Sequence, residues 1–220
     1  MVVNNSNIHE VIRRISRAVE NFETPSVTLV GKRWRNPFLI LISCLLSLRT
    51  KDQTTLSASE RLFKLADTPE DMLKLENSRI EQAIYPAGFY RTKAARIKEV
   101  CRDLVERFEG RVPDDLDQLL SMKGVGRKTA NLVITEAFGK PGICVDTHVH
   151  RISNRFGYVK TSTPNETEQV LRKKLPKEYW LNYNLLLVMW GQNICKPVSP
   201  LCSQCAVLDF CAQAGVTQHR

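Results

Sequence analysis

The chain has no apolar run long enough to cross a bilayer. The longest, FLILISCLLSL from Phe38 to Leu48, falls well short of the ~20 residues a spanning helix needs. It sits mid-chain, so it reads as a helix buried on most sides. The first thirty residues carry charges throughout and lack an uninterrupted apolar stretch ending in a small-residue cleavage site. That argues against a secretory signal and for an intracellular protein, in cytoplasm and nucleoid or, in a eukaryote, nucleus or mitochondrion. No segment alternates apolar and polar residues as a half-buried strand would. There is also no internal repeat and no low-complexity linker, so the expectation is an all-α fold of roughly nine or ten helices.

A disulfide framework is missing too. The cysteines number seven, and four of them, Cys195, Cys202, Cys205 and Cys211, crowd the C-terminal end. An odd count and this crowding are unlike the spread of bridges through a small secreted domain.

What the chain does have is apolar material and positive charge. Its 220 residues are 43% hydrophobic, enough for one substantial core or two small ones sharing chain segments. Thirty-two Lys and Arg against 23 Asp and Glu leave a net charge of +9. A polyanion or an anionic surface is the partner this balance favours.

Periodicity is helical almost everywhere. In TKAARIKEVCRDLVERF, Ile97, Val100, Cys101, Leu104, Val105 and Phe108 recur at the spacing of one helix face, and the opposite face is charged. Thr68 before Asp71, Ser78 before Glu81 and Thr163 before Glu166 read as helix starts, a capping side chain three residues ahead of a carboxylate. Glycine and proline cluster in YPAGFY, EGRVPDD and FGKPG, which read as breaks.

The tightest of the turns lies in MKGVGRKTANLV, residues 122–133. Residues 114–122 read as a helix and 128–138 as a second helix stopped by Gly139, with a hairpin turn between them. Gly124 and Gly126 lack a Cβ and can take positive φ, so backbone N–H groups of the turn and of the second helix's first residues can approach an anion. On the glycines alone, a plain helical hairpin is as good a reading. Lys123, Arg127 and Lys128 around the turn shift the balance toward phosphate contact. Further on, Asp146 of CVDTHVHR stands where an N-cap belongs. Its carboxylate could also stabilise a positive charge developing nearby.

The four C-terminal cysteines are separated by six, two and five residues. They suit a single four-thiolate centre, and on the residues alone both zinc and an iron–sulfur cluster remain open. Cys44, Cys101 and Cys144 fall in apolar surroundings and read as small core residues.

The segment KGVGRKTANLVITEAFGKPGICVDTHVHRISNRFG resembles the helix-hairpin-helix and following acidic loop of the endonuclease III family of DNA glycosylases. The cysteine spacing is similar to that family's C-terminal [4Fe–4S] loop. The likeness runs from about residue 8 to residue 213. It implies that Lys128 is a nucleophile, that Asp146 is its catalytic partner, and that Cys195, Cys202, Cys205 and Cys211 hold a [4Fe–4S] cluster. Lys123, Gly124, Val125, Gly126 and Arg127 would meet DNA at the hairpin. The fold implied has a six-helix barrel domain over residues 32–140, with the hairpin at about 114–138. A discontinuous domain of residues 1–31 and 141–220 would carry the cluster loop.

The activity implied is that of a monomeric, bifunctional glycosylase and abasic-site lyase. It would act on double-stranded DNA containing damaged pyrimidines or abasic sites, removing oxidised pyrimidines and cleaving the abasic site by β-elimination. Two alternatives stand beside it: a monofunctional mismatch or adenine glycosylase, which typically lacks a lysine at position 128, and a non-catalytic iron–sulfur DNA-binding module. The chain departs from the family pattern at Lys123, where proline is common, and at Arg49, where glutamine is common. Arg49 resembles the family's wedge into the duplex, with phosphate contact as the simpler reading. Asp52 reads as the N-cap of the helix that follows it.

Overall fold

The computed structural model describes residues 2–220. Twelve α-helices follow in chain order among them: α1 (Ile8–Ala18), α2 (Ser26–Trp34), α3 (Pro37–Ser47), α4 (Asp52–Phe63), α5 (Pro69–Lys74), α6 (Asn77–Ile84), α7 (Tyr90–Phe108), α8 (Leu116–Ser121), α9 (Arg127–Phe138), α10 (Thr147–Arg155), α11 (Pro164–Lys174) and α12 (Tyr183–Asn193). Three short 3-10 turns, Lys177–Tyr179, Cys202–Gln204 and Leu208–Phe210, complete the regular structure. The all-α expectation holds. The helix count exceeds the nine or ten expected because six-residue helices such as α5 and α8 are too short to show a full apolar period.

The chain divides into two compact units: Pro25–Lys140, which is contiguous, and a unit made of residues up to Thr24 with Pro141–Arg220. In the contiguous unit α3 is the central element, packed by α2, α4, α7 and α9. Asn36 caps it, accepting from the Phe38 and Leu39 amides, and Pro37 sits at its first turn. Every residue from Phe38 to Leu46 is buried, which explains the one apolar run the sequence contains. Truncating one of these large side chains to alanine costs about 2–5 kcal/mol, a large share of a domain's net stability.

The contiguous unit starts at Pro25, ahead of the residue-32 start implied by the resemblance, because α2 packs on α3, α4 and α9. Its first turn is also tied down from a distance. Ser26 donates through its amide (3.1 Å) and its hydroxyl (2.6 Å) to Asp52 Oδ1. This corrects the reading of Asp52 as the cap of its own helix. Lys51 occupies that position with no side-chain bond, and Asp52 is already inside α4.

Other starts are mixed. Thr68 and Thr163 accept from the amides of Asp71 and Glu166 as expected. Ser78 lies inside α6, whose preceding residue, Glu76, makes no side-chain cap. In α7 the periodic face is buried at Ile97, Val100, Cys101 and Leu104, while Val105 lies at its exposed margin.

The discontinuous unit has its own core. Ile8, Val11, Ile12 and Ile15 of α1 join Val149 and Ile152 of α10, Leu171 of α11 and Leu187 and Trp190 of α12. A buried tyrosine links distant chain segments: the Tyr158 hydroxyl lies 2.8 Å from Asn5 Oδ1 and 3.1 Å from the Lys174 carbonyl. No helix among the described residues is long and apolar enough to cross a membrane.

Candidate functional site

The glycine turn joins α8 to α9. Asp115 caps α8 through the Asp117 and Gln118 amides, so that helix is Leu116–Ser121, shorter than the 114–122 expected. Met122 and Val125 are buried and anchor the turn from below, and the Val125 amide donates to the Met122 carbonyl at 3.1 Å.

The two glycines serve different ends. Gly124 has φ +88°, a conformation that favours glycine, and the Arg96 side chain lies across the place a Cβ would take. Gly126 is extended at φ −89°, ψ 171°, and caps α9. Among the described residues, no atom beyond its own chain neighbours lies within 4 Å of the place its Cβ would take. That leaves open space beside the first amides of α9, where the helix carries positive partial charge.

Three cations flank the turn in sequence. The Lys123 side chain is exposed, with Nζ 3.4 Å from Glu99, and its amide donates to Asp103. Arg127 and Lys128 are half-buried in the first turn of α9. The Lys128 charge reaches Cys44 in α3: burial pushes that thiol upward, and the lysine opposes the shift. Cys101 is likewise a buried core thiol, raised to about 12 by desolvation.

Asp146 belongs to the discontinuous unit. The segment before it has no regular secondary structure, with Ile143, Cys144 and Val145 buried, and Asn184 of α12 donates to the Cys144 carbonyl at 3.1 Å. One carboxylate oxygen, Oδ1, accepts from both the His148 amide (2.8 Å) and the Val149 amide (2.9 Å). The expected N-cap is present, and it fixes the carboxylate against α10.

Cys195, Cys202, Cys205 and Cys211 line one cavity, together with Arg155 and Trp190. Arg155 Nη1 donates to Cys195 Sγ at 3.4 Å and to the Lys196 carbonyl at 2.7 Å, while Nη2 donates to the Pro197 carbonyl at 2.7 Å. The Gln213 amide donates to Cys211 Sγ at 3.4 Å. Burial pushes the Cys205 thiol up to about 11 and Cys211 upward. The buried Trp190 indole N–H has no hydrogen-bond partner among the described residues. Among the described residues, no three His, Cys, Asp or Glu side chains are grouped closely enough to hold a single metal ion.

Arg49 follows α3 with φ +52°, exposed, its guanidinium 5.5 Å from the centre of the Phe89 ring. Phe89, Lys93, Arg155 and Trp190 were not singled out by sequence reasoning. For Phe89 a signal existed, an aromatic beside glycine in the YPAGFY break. The others look like ordinary members of helical patterns.

Residues 42–177 match the model of the HhH-GPD superfamily of base excision DNA repair proteins. Over 176 residues the chain is 50% identical to endonuclease III of Thermotoga maritima, covering 80% of this chain and 83% of that protein. The chain belongs to the endonuclease III family. It is 44% identical over 186 residues to endonuclease III homolog 1, chloroplastic, of Arabidopsis thaliana, covering 80% of this chain and 49% of that longer protein. In three dimensions it is similar to a trapped endonuclease III–DNA covalent intermediate in an estranged-adenine complex. The TM-score is 0.86 at 34% identity, covering 96% of this chain and 97% of that one.

Proposed function

We propose that this member of the endonuclease III family is a bifunctional DNA glycosylase and abasic-site lyase that removes oxidised pyrimidines from double-stranded DNA. The observation that carries the reading is Lys128, an amine set in the first turn of α9 directly after the open glycine turn. The structural relative is an endonuclease III trapped in covalent union with DNA.

In this reading the hairpin holds a phosphate. The amides at Gly124 and Gly126, with Lys123 and Arg127, face the backbone beside a damaged nucleotide, while buried Val125 anchors the turn. That nucleotide is turned out of the stack, at a cost of a few kcal/mol that is least for a lesion. The neutral amine of Lys128 attacks the sugar C1′ and the bond to the base breaks, the base leaving with the electron pair. The amine gives up a proton and the C1′–O4′ bond opens, O4′ taking up a proton, so that the C1′–N bond becomes a protonated Schiff base; loss of a C2′ proton then expels the 3′ phosphate by β-elimination. Asp146, oriented by the α10 amides, stabilises the cationic sugar and assists proton transfer.

Pro25–Lys140 corresponds to the barrel domain with the hairpin, and the discontinuous unit to the cluster domain. Cys195, Cys202, Cys205 and Cys211 would hold a [4Fe–4S] cluster. Four thiols on one cavity are the donor set such a cluster takes, and the unpartnered Trp190 N–H beside them would find sulfur acceptors there. When bound, the cluster supplies a covalent tie across a loop that has only short 3-10 turns of its own. The chain is expected to work as a monomer.

Borohydride reduction during turnover of lesion-containing duplex tests the reading. A covalent protein–DNA adduct that disappears in Lys128→Ala supports it. An undiminished adduct in that variant assigns the chemistry to another amine.

A further inference from the structure

Two backbone segments of the Pro25–Lys140 unit meet at one point on its surface. The first follows α3 and contains Arg49 and Thr50; the second precedes α7 and contains Gly88 and Phe89. A Cβ on Gly88 would lie 2.4 Å from the Arg49 carbonyl oxygen, so the two main chains touch in a way only glycine permits. The Gly88 amide donates to Thr50 Oγ1 at 3.1 Å. On either side of this contact a non-glycine residue adopts left-handed backbone, Arg49 at φ +52° and Phe89 at φ +57°. That conformation is costly for such residues and persists where the surroundings enforce it. Its result is that an exposed ring, 62% accessible, stands under an exposed guanidinium.

Beneath the contact lies Lys93 of α7, 8% exposed. Its ammonium has three acceptors, the Leu46 carbonyl, the Leu48 carbonyl and Thr50 Oγ1, each at 2.7 Å. An ammonium has three donors, so all are used. The two carbonyls belong to the C-terminal end of α3, where the helix leaves acceptors open and favours a cation. Among the described residues no carboxylate forms an ion pair with this buried lysine. A salt bridge is therefore not what keeps it there. It joins the end of α3 to the start of α7.

We infer that Lys93 is a positioning residue that locks the Arg49 and Phe89 segments into a single rigid prong, an arginine over an aromatic ring, which enters or braces the duplex at the damaged site. This rests on the glycosylase reading, because a planar pair of this kind matters where a base has left the stack. An aromatic face and a guanidinium plane both stack on bases, and the guanidinium adds donors for the base left unpaired. Lys93 itself does not touch DNA.

The test compares the native protein with Lys93→Met, which keeps the length and burial of the side chain and removes the three bonds. In DNA-free protein, amide hydrogen exchange should rise together in the Arg49 and Gly88–Phe89 segments. With DNA, 2-aminopurine opposite the lesion reports how far the opposite base is displaced. That signal and kcat/KM on lesion duplex should both fall, the latter by about tenfold or more, as misplacement near a reacting centre does. Affinity for undamaged duplex should change by less than about twofold, since phosphate contacts made elsewhere dominate it. Adding Lys93→Met to Arg49→Ala should cost little beyond Arg49→Ala alone, because the two act as one unit. Thr50→Val removes the shared hydroxyl without disturbing Lys93's carbonyl bonds, and should show a smaller loss of the same kind even if Lys93→Met folds poorly. Additive losses, or equal losses on damaged and undamaged duplex, would overturn the clamp. A native enzyme without lesion preference would overturn the glycosylase reading, whereas native preference undiminished in both variants would overturn the clamp alone.

Discussion

The turn at residues 123–127 and the loop at 195–211 hold the two densest clusters of unusual residues, and they are built in opposite ways. The turn lies between two helices, with Met122 and Val125 buried under it and Arg96 packed across Gly124. It keeps its shape through backbone and packing alone. The loop has two three-residue 3-10 turns. Four cysteines face a cavity, and much of its order comes from Arg155 reaching two carbonyls and a sulfur. A site framed by helices can lose its reactive residue and keep its fold. A loop tied together by the proposed cluster would not.

Lys128→Ala breaks the comparison most sharply on the hairpin side. It should abolish the borohydride adduct and lower base release by at least about a thousandfold, as removal of a nucleophile does, while thermal stability stays near native. Cys202→Ala should do the reverse. Purified native protein should be yellow-brown with about four irons per chain, and the variant should lose iron and expose the amides of the 195–211 segment before activity at an intact active site is altered. Stoichiometric zinc in the native protein would overturn the cluster.

Asp146→Asn sharpens the point within one residue. An amide oxygen caps α10 nearly as well, so stability should shift by less than about 1 kcal/mol. Base release should slow by about 10²–10³, the usual cost of losing one group that stabilises transition-state charge. Arg49→Gln is smaller still. If the guanidinium reads the opposite base, preference for lesions opposite guanine should shrink by up to about 1–3 kcal/mol. A uniform loss across all four opposite bases with a weaker salt dependence would assign Arg49 to phosphate contact.

The smallest effect is on pH dependence. Burial lowers the Lys93 ammonium to about 8 from an ordinary 10.5. The unfolded chain then holds a proton the folded one has lost between those values, so this group's contribution to stability rises with pH across that window and is lost as pH falls through 8. Proton uptake on unfolding at pH 9 to 10 should be measurable in the native protein and reduced in Lys93→Met.

Much of this was legible in the sequence because it is local. The buried α3, the Asp146 cap, the paired threonine caps and the glycine turn each depend on residues a few positions apart. The family likeness was legible in two separate motifs, around Lys128 and around the four cysteines. What stayed hidden depends on contacts across long stretches of chain. Asp52 looked like a cap for its own helix because nothing in the sequence shows that Ser26 would come to meet it. Lys93 sits in a run of charged residues, TKAARIKE, where its burial breaks no visible pattern. Ser78 satisfies the spacing of a capping box, yet α6 begins at Asn77, before it. The two glycines of the hairpin were given one role by the sequence reading, and only coordinates separate the one that packs from the one that leaves space.

The split of the chain also sets a schedule for synthesis. Pro25–Lys140 is contiguous and can close on itself as soon as its last residues leave the ribosome. The segment that precedes it cannot, because the apolar face of α1 is buried against residues from Ile143 onward. At about 5–20 residues per second, the intervening span alone takes on the order of ten seconds to translate. Throughout that interval Ile8, Val11, Ile12 and Ile15 have no native surface to cover them. Helix α1 thus waits for residues made long after it, and during that delay it is a natural binding target for a chaperone.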